Sequence, residues 1–212
     1  MSRFFRLIWL FVLASMAGFL LESGESLWSL GYLQNRQGLL YGPFAPVYGA
    51  GAVVLALLWP VVKSLRHWAA FAVAALAGTV VEYLWSWGQE VFFHTAFWDY
   101  RHFRFHLDGR VNLVFSLLWG LLGMGFWLWI WPIFQAHWPQ KRPGLALAGA
   151  ALTLLLAGDC LLSAAALSRQ AQRQQAVAAL SPFQLYLDKT WPDETLAECF
   201  PTMRLIEKGQ TD

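Results

Sequence analysis

The sequence predicts an all-α integral membrane protein, built as a bundle of about five transmembrane helices. Composition is the first reason, because 58% of the 212 residues are hydrophobic and only 13% are charged, whereas roughly a quarter of the residues in a soluble globular domain are charged. Length is the second, since five apolar segments approach the ~20 residues that a helix needs to cross a bilayer. A net charge of only +2 provides no basic surface for nucleic acid, which we exclude as a partner.

The five segments divide the chain into a membrane domain and a short tail. They are predicted at Phe4 to Leu21, Pro46 to Val62, Trp68 to Trp87, Leu113 to Phe134 and Leu145 to Leu167. Beyond the last span the chain becomes polar and alanine-rich, and Pro182 and Pro192 then interrupt it. We therefore expect a transmembrane domain over residues 1–167 and a juxtamembrane helix with a C-terminal tail over residues 168–212, not a second domain.

The connections between the spans are of two kinds. The second (Lys63 to His67) and the fourth (Gln135 to Gly144) are short and basic, whereas the first (Glu22 to Ala45) and the third (Gly88 to Asn112) are long and rich in charged and aromatic residues. With five spans, both long connections and the tail must emerge on one membrane face. The positive-inside tendency favours an extracytoplasmic location for this face, although arginines on it nearly balance the count.

The third span carries a polar stripe. Its members Glu82, Ser86, Glu90 and His94 are spaced by four residues, which places them on one face of a helix. An ionisable group inside a bilayer costs at least about 2.5 kcal/mol, so it marks either a functional residue or a structural ion pair. Glu90 and His94 have the spacing of a metal-chelating pair, but two ligands are too few for a site. We expect no metal and no cofactor, and an interfacial His94 paired with Glu90 is the alternative.

The first connection contains an unusual run, NRQGLLYGPFAPVYGAG, from Asn35 to Gly51. Its prolines lack amide donors, and its glycines permit tight turns and close backbone approach. Two structures are consistent with it: a re-entrant or broken entry to the second span, buried in protein, or a plain interfacial loop. Arg36 is the cation most available to a buried carboxylate nearby, and it could equally form an ion pair with Glu22 or Glu25.

Polar groups of the third connection and the fifth span are further candidates. Asp159 and Ser163 lie four residues apart in the fifth span, and an Asp159 that faced the bundle would pair with Arg36 or Arg110. The arginines of the third connection stand beside aromatic and acidic residues, so they could clamp an anionic or polar headgroup or hold the loop by ion pairs. No GxSxG elbow or HExxH helix is present, and enzyme chemistry stays undecided.

An ordered series of motifs resembles a known bacterial family. The series comprises NRQGLLYGPFAPVYGAGA from Asn35, EY at Glu82 with Glu90 behind it, WDY from Trp98, GRVNLVFSLLWG from Gly109, the pair Asp159 and Ser163, WPDE from Trp191 and FPTM from Phe200. It is similar to the family described as putative ABC-transporter type IV permease, also called CmpB-like. The chain departs from the family pattern at Thr202, where an asparagine is expected, and at residues 105–108.

The resemblance implies a multi-pass protein of the bacterial cytoplasmic membrane. Carried onto matching positions, the family motif highlights Asn35, Arg36, Tyr41, Gly42, Pro43, Tyr48, Glu82, Glu90, Trp98, Asp99, Gly109 and Arg110. The chain lacks the GxxxxGK[ST] phosphate loop of nucleotide-hydrolysing subunits. A separate ATPase subunit is therefore a candidate partner beside the lipid bilayer, and a homo-oligomer also stays open.

The sequence thus favours a transporter permease with a polar, one-sided intramembrane site built from carboxylates and arginines. The alternatives are a membrane-embedded enzyme acting on lipid or lipid-linked substrate, and a noncatalytic assembly subunit. The substrate-binding residues that we expect are Asn35, Arg36, Tyr41, Tyr48, Glu82, Glu90, Trp98, Asp99, Arg110 and Asp159.

Overall fold

A computed structural model describes residues 3–138 and 143–206 of the protein. Its helices are α1 (Arg3–Leu30), α2 (Pro46–Val62), α3 (His67–Phe93), α4 (Leu113–Gly125), α5 (Trp131–His137), α6 (Pro143–Gln174), α7 (Pro182–Thr190) and α8 (Asp193–Cys199). Four two-residue strands form two antiparallel pairs: β1 (Thr95–Ala96) with β4 (Arg204–Leu205), and β2 (His106–Leu107) with β3 (Val111–Asn112).

The structure confirms the predicted all-α membrane bundle. Four stretches are long and apolar enough to cross a membrane: Arg3–Leu30, His67–Phe93, Leu113–His137 and Gly144–Gln174. The fifth is the shorter apolar helix Pro46–Val62, which has the predicted bounds. The other four helical stretches extend beyond the predicted spans at one or both ends.

The fourth span is one continuous helix that contains a π-helical turn. Its helices α4 and α5 are joined by the π-helical turn Phe126–Ile130. Pro132 lies just after this turn, and a proline lacks the amide that the helical ladder requires and clashes with the carbonyl four residues earlier. The wider turn accommodates that clash.

Small residues let the spans approach closely, as the sequence indicates. A Cβ at Gly49 would meet Ser15 and the Phe11 backbone on α1, and a Cβ at Gly78 would meet Trp119 on α4. An apolar cluster is formed by α1, α2, α3, the π-helical turn and α5; its buried members are Leu10, Ala52, Leu55, Ala56, Val62, Ala70, Ala74, Phe126, Trp127 and Trp131.

The segment between α1 and α2, residues 31–45, runs back along α1 and is called here the inner segment. It begins beside the end of α1, where the Gln34 amide donates to Ser26 Oγ at 2.9 Å. It ends at the middle of α1, where the Ala45 amide donates to the Ser15 carbonyl at 3.0 Å. These two serines are eleven positions apart on the helix, about 16 Å along its axis. The segment that enters α2 therefore runs back along α1, as the re-entrant alternative predicts.

The two long connections and the tail meet at one end of the bundle, as span parity predicts. Strand β1 of the third connection pairs with β4 of the tail. The Asn35 amide group of the inner segment donates to the Cys199 carbonyl at 3.2 Å. Among the short connections, Lys63 to His67 lies within the described residues, whereas residues 139–142 of the other lie outside them.

The tail forms a compact cap on the end of α6. Buried side chains of α6, α7, α8 and the inner segment make one apolar cluster: Leu40, Ala166, Leu167, Leu187, Trp191, Leu196 and Phe200. Arg169 of α6 donates to Asp188 of α7 from both Nε and Nη2 at 2.9 Å. Helix α6 continues unbroken across residue 167, so a domain boundary at that residue stays a prediction.

Candidate functional site

A cavity of about 490 Å³ lies at the end of the bundle where the long connections meet. Helix ends of α1, α2, α3 and α4 enclose it together with the inner segment, the third connection and the tail. Its lining comprises Leu21, Glu22, Glu25, Arg36, Gln37, Gly38, Ala45, Pro46, Val47, Tyr48, Glu82, Trp85, Gln89, Phe97, Trp98, Tyr100, Phe115, Leu118, Trp119, Leu122 and Thr202. This volume is within the range of small-molecule sites in proteins.

The carboxyl group of Glu82 forms the polar floor of the cavity. Glu82 is 5% exposed and receives two hydrogen bonds from neutral donors. The Tyr100 hydroxyl donates to Oε1 at 2.9 Å, and the Trp119 indole donates to Oε2 at 3.0 Å. Each carboxylate oxygen has two acceptor positions, so the group keeps free acceptor capacity after both bonds are made.

The Tyr100 hydroxyl is suited to act as a donor to Glu82. Burial raises the pKa of Tyr100, and the neighbouring Glu82 raises it further. The phenol therefore stays protonated at any physiological pH and can donate to the carboxylate. Its ring is held in place by stacking on Phe115, with centroids 4.7 Å apart.

Aromatic rings make up much of the remaining wall. Tyr48 lies against Trp119, with ring centroids 5.5 Å apart. The indole of Trp98 donates to the Arg110 carbonyl at 2.9 Å, which anchors this ring to the third connection. Trp85 and Phe97 complete the aromatic lining. The cavity thus offers π faces around a single buried carboxyl group.

A second group of charges lies towards the outer rim. The side chain of Glu25 is 63% exposed, so water reaches the cavity here, and Arg36 Nη2 lies 3.8 Å from Glu25 Oε2. Glu22 also lines the cavity, and it interacts with Arg36 and with the Tyr48 hydroxyl. Three carboxyl groups and one guanidinium therefore stand among the described residues of the lining.

The other carboxyl group of the third-span stripe is directed elsewhere. Glu90 pairs with Arg110, which also lies 3.2 Å from Asp108 and over the ring of Tyr83. Residues eight positions apart differ by about 80° around a helix and by 12 Å along it. Glu82 and Glu90 accordingly face different neighbours, and Glu90 helps to fix the third connection on α3.

The stripe also ends earlier than predicted. Helix α3 stops at Phe93, and His94 caps it in the left-handed conformation, with φ of 52°. His94 therefore does not continue the face that carries Glu90. Within residues 3–138 and 143–206, no group of three His, Cys, Asp or Glu side chains is placed to hold a metal ion.

Four of the ten residues expected to bind substrate line the cavity: Arg36, Tyr48, Glu82 and Trp98. The other six are not part of its lining. Asn35 bonds to Cys199, Tyr41 stacks edge-on against Trp191, Asp99 lies beside Arg101, and Glu90 pairs with Arg110. Asp159 lines a separate groove on the outer side of α6, which it shares with Tyr41.

The predicted pairing of Asp159 with Arg36 or Arg110 is wrong. Asp159 accepts the backbone amide of Tyr41, with both carboxylate oxygens at 3.3 Å, and the Ser163 hydroxyl at 3.2 Å. The neighbouring Leu40 amide donates to Ser163 Oγ at 2.9 Å. Backbone amides that lie beside membrane spans need partners from protein, and this pair on α6 supplies them for Leu40 and Tyr41.

Several lining residues were not among those expected from sequence. Glu22 was weighed only as a partner for Arg36, because a carboxyl group at the end of a span is ordinary. Tyr100 belongs to the WDY motif, which could have indicated it. Trp119 lies within the GRVNLVFSLLWG motif, which could likewise have indicated it, whereas Gln89 had no distinguishing signal.

The arrangement can bind a charged or hydrogen-bonding group in an aromatic surrounding, with donors, acceptors and carboxyl groups in fixed positions. The bundle, its apolar spans and this one-ended cavity together define a multi-pass helical membrane protein.

Comparison with known families gives a more specific assignment. A model of the family described as Putative ABC-transporter type IV matches residues 9–164, nearly three quarters of the chain. The protein belongs to this family. The tail motifs that begin at Trp191 and Phe200 lie beyond the matched residues, so their part of the resemblance stays a prediction. Searches of curated proteins and of solved structures find no match to the chain.

Proposed function

We propose that the protein is the membrane-spanning permease of a transport system and that the cavity around Glu82 is its solute site. The main support for this proposal is the environment of the Glu82 carboxyl group, which is 5% exposed and accepts hydrogen bonds from neutral donors at the floor of a cavity. A buried ionisable group in a membrane span is costly, and such residues mark substrate or ion pathways. Membership in a transporter-type family supports the same assignment.

The proposal gives different roles to the residues expected from sequence. Arg36, Tyr48, Glu82 and Trp98 contact the solute, together with Glu22 and Tyr100. The remaining residues hold the walls: the Glu90 and Arg110 pair fixes the third connection, and Asp159 fixes the inner segment. Loss of a wall residue then weakens transport through misplacement of the site.

The proposed setting is the bacterial cytoplasmic membrane, with the cavity end on the extracytoplasmic side. The chain has no GxxxxGK[ST] phosphate loop, so energy from ATP requires a separate subunit. That subunit would dock on the end of the bundle opposite the cavity.

Metabolite profiling of intact cells tests this proposal. Cells that lack the protein are complemented with the wild type, with Glu82→Gln, with Arg36→Ala, or with Glu198→Gln as the control. Glu198 is an exposed carboxylate of the tail, so its substitution removes the same charge away from the cavity. We expect a solute whose uptake or export is restored by wild type and Glu198→Gln, and reduced at least tenfold in the other two.

Correct insertion is verified for each variant by its yield in the membrane fraction and its thermal transition in detergent. If a broad solute panel shows the same uptake and export for the wild type and both site variants, the transport assignment is refuted.

A further inference from the structure

The charge balance of the cavity points to the kind of solute that it takes. Glu22, Glu25 and Glu82 line it, and Arg36 is the one cationic side chain among the described lining residues. Arg36 stands nearest to Glu25 at the rim and interacts with Glu22. One guanidinium neutralises one carboxylate, so the lining carries an excess of negative charge when its carboxyl groups are ionised.

The floor of the cavity lacks a positive charge of its own. Glu82 receives hydrogen bonds from an indole and a phenol, neither of which carries charge. A buried carboxylate is strongly stabilised by an opposite charge within ~4–6 Å. A cationic group of the solute would supply that charge at the free acceptor positions of Glu82.

The walls are suited to an organic cation. Seven aromatic side chains line the cavity: Tyr48, Trp85, Phe97, Trp98, Tyr100, Phe115 and Trp119. The face of an aromatic ring attracts a cation within about 6 Å of its centroid, and the attraction grows when water is excluded. An inorganic ion would leave most of this volume and apolar surface unused.

Of the unpartnered polar atoms in the cavity lining, one is an acceptor that suits a ligand with N–H groups, and the other is the donor Nε of Arg36. The side-chain oxygen of Gln89 is buried and has no hydrogen-bond partner, although Gln89 lines the cavity. A buried acceptor without a donor destabilises the site that contains it. A protonated amine donates to such an acceptor, whereas a quaternary ammonium group has no N–H to donate.

We infer that the cavity binds a protonated organic amine, with its ammonium group on Glu82 and its apolar body between the aromatic walls. This inference rests on the proposed solute site and names the substrate class of that site.

Equilibrium dialysis of the full chain in lipid nanodiscs tests the inference. Four probes of similar shape are compared: 2-phenylethylammonium, trimethyl(2-phenylethyl)ammonium, neutral 2-phenylethanol and anionic 3-phenylpropionate. We expect 2-phenylethylammonium to bind at least tenfold more tightly than the alcohol or the carboxylate, and more tightly than the quaternary ion. Glu82→Gln should abolish this preference, and the control Glu198→Gln should preserve it.

The inference is overturned if none of the cations binds to the folded protein, if the neutral or anionic probe binds as well as the amine, or if Glu82→Gln retains the preference. Tighter binding of the quaternary ion would overturn the role given to the N–H groups and Gln89. A Glu82-dependent transport of a neutral or anionic solute, observed in the cell assay, would refute this inference while leaving the permease assignment intact.

Discussion

The Trp119 indole nitrogen lies 3.0 Å from Oε2 of Glu82, and this hydrogen bond joins α4 to α3 at the floor of the cavity. The bond positions the carboxylate without neutralising it, because indole is an uncharged donor. The same ring lies against Tyr48 of α2. Trp119 therefore connects three helices around the buried carboxyl group of Glu82.

Replacing this donor should affect both binding and stability. Trp119→Phe retains an aromatic ring but removes the hydrogen bond to Glu82. We expect the free energy of unfolding to fall by about 1–2 kcal/mol and amine binding to weaken severalfold, measured by thermal unfolding and dialysis in nanodiscs. Trp87→Phe is the control, since Trp87 on α3 is 43% exposed. Equal effects of the two substitutions would show that the bond to Glu82 has no particular importance.

A single methyl group should displace the same indole from the other side. A Cβ at Gly78 would overlap the Cβ and Cγ of Trp119, and overpacking of this kind costs typically 1–3 kcal/mol. Gly78→Ala should therefore lower the melting temperature and disturb Glu82. In Gly88→Ala, on the same helix, the new Cβ meets its nearest atom at 4.0 Å. That variant should be neutral or slightly more stable, because alanine favours helix. A stable Gly78→Ala protein would contradict the close contact.

Much of the fold follows from the sequence, because apolar length predicts spans and span number predicts which connections share a face. The position of Glu82 also follows, since an ionisable residue within a long apolar run needs a polar environment. The re-entrant course of the inner segment was one of two alternatives, because its prolines and glycines indicate irregular backbone without determining how far the segment enters the bundle.

The partners of each polar group could not be predicted in the same way. They depend on how each helix is rotated about its axis, which composition leaves undetermined. Asp159 was therefore matched with a distant arginine, although the amide of Tyr41 is its partner. Glu22 was missed for a similar reason: only the returning inner segment brings Arg36 to it and turns a span end into a cavity wall.

Acid should release the tail cap from α6. The bonds from the Arg169 guanidinium to Asp188, aided by Arg173, lower the pKa of Asp188 to about 2. A carboxyl group with a lowered pKa stabilises the folded state fully above its unfolded pKa, about 3.9, and loses that contribution as the pH falls towards the folded value. The cap should therefore be held above pH 4 and loosen between pH 4 and pH 2.

Hydrogen exchange of α7 measures this release. In wild type, protection of Pro182–Thr190 should fall over that pH window. Asp188→Asn should show reduced protection at neutral pH, because Arg169 is 4% exposed and loses its charged partner, and little further change on acidification. Glu198→Gln should behave as wild type. Unchanged protection in Asp188→Asn would mean that the apolar cluster alone holds the cap.

A backbone amide of the inner segment depends on one hydroxyl group of α6 for its hydrogen bond. Ser163 Oγ is the acceptor for the Leu40 amide at 2.9 Å, and both residues are buried. Ser163→Ala leaves that amide without its partner and should cost about 1–3 kcal/mol, which thermal unfolding in nanodiscs measures. Ser168→Ala lies on the same helix, five residues further on, and serves as the control. Because the inner segment also carries Arg36, the Ser163 variant should weaken amine binding although it lies outside the cavity. A stability loss without any loss of binding would show that the segment can shift at Leu40 while its Arg36 end stays in place.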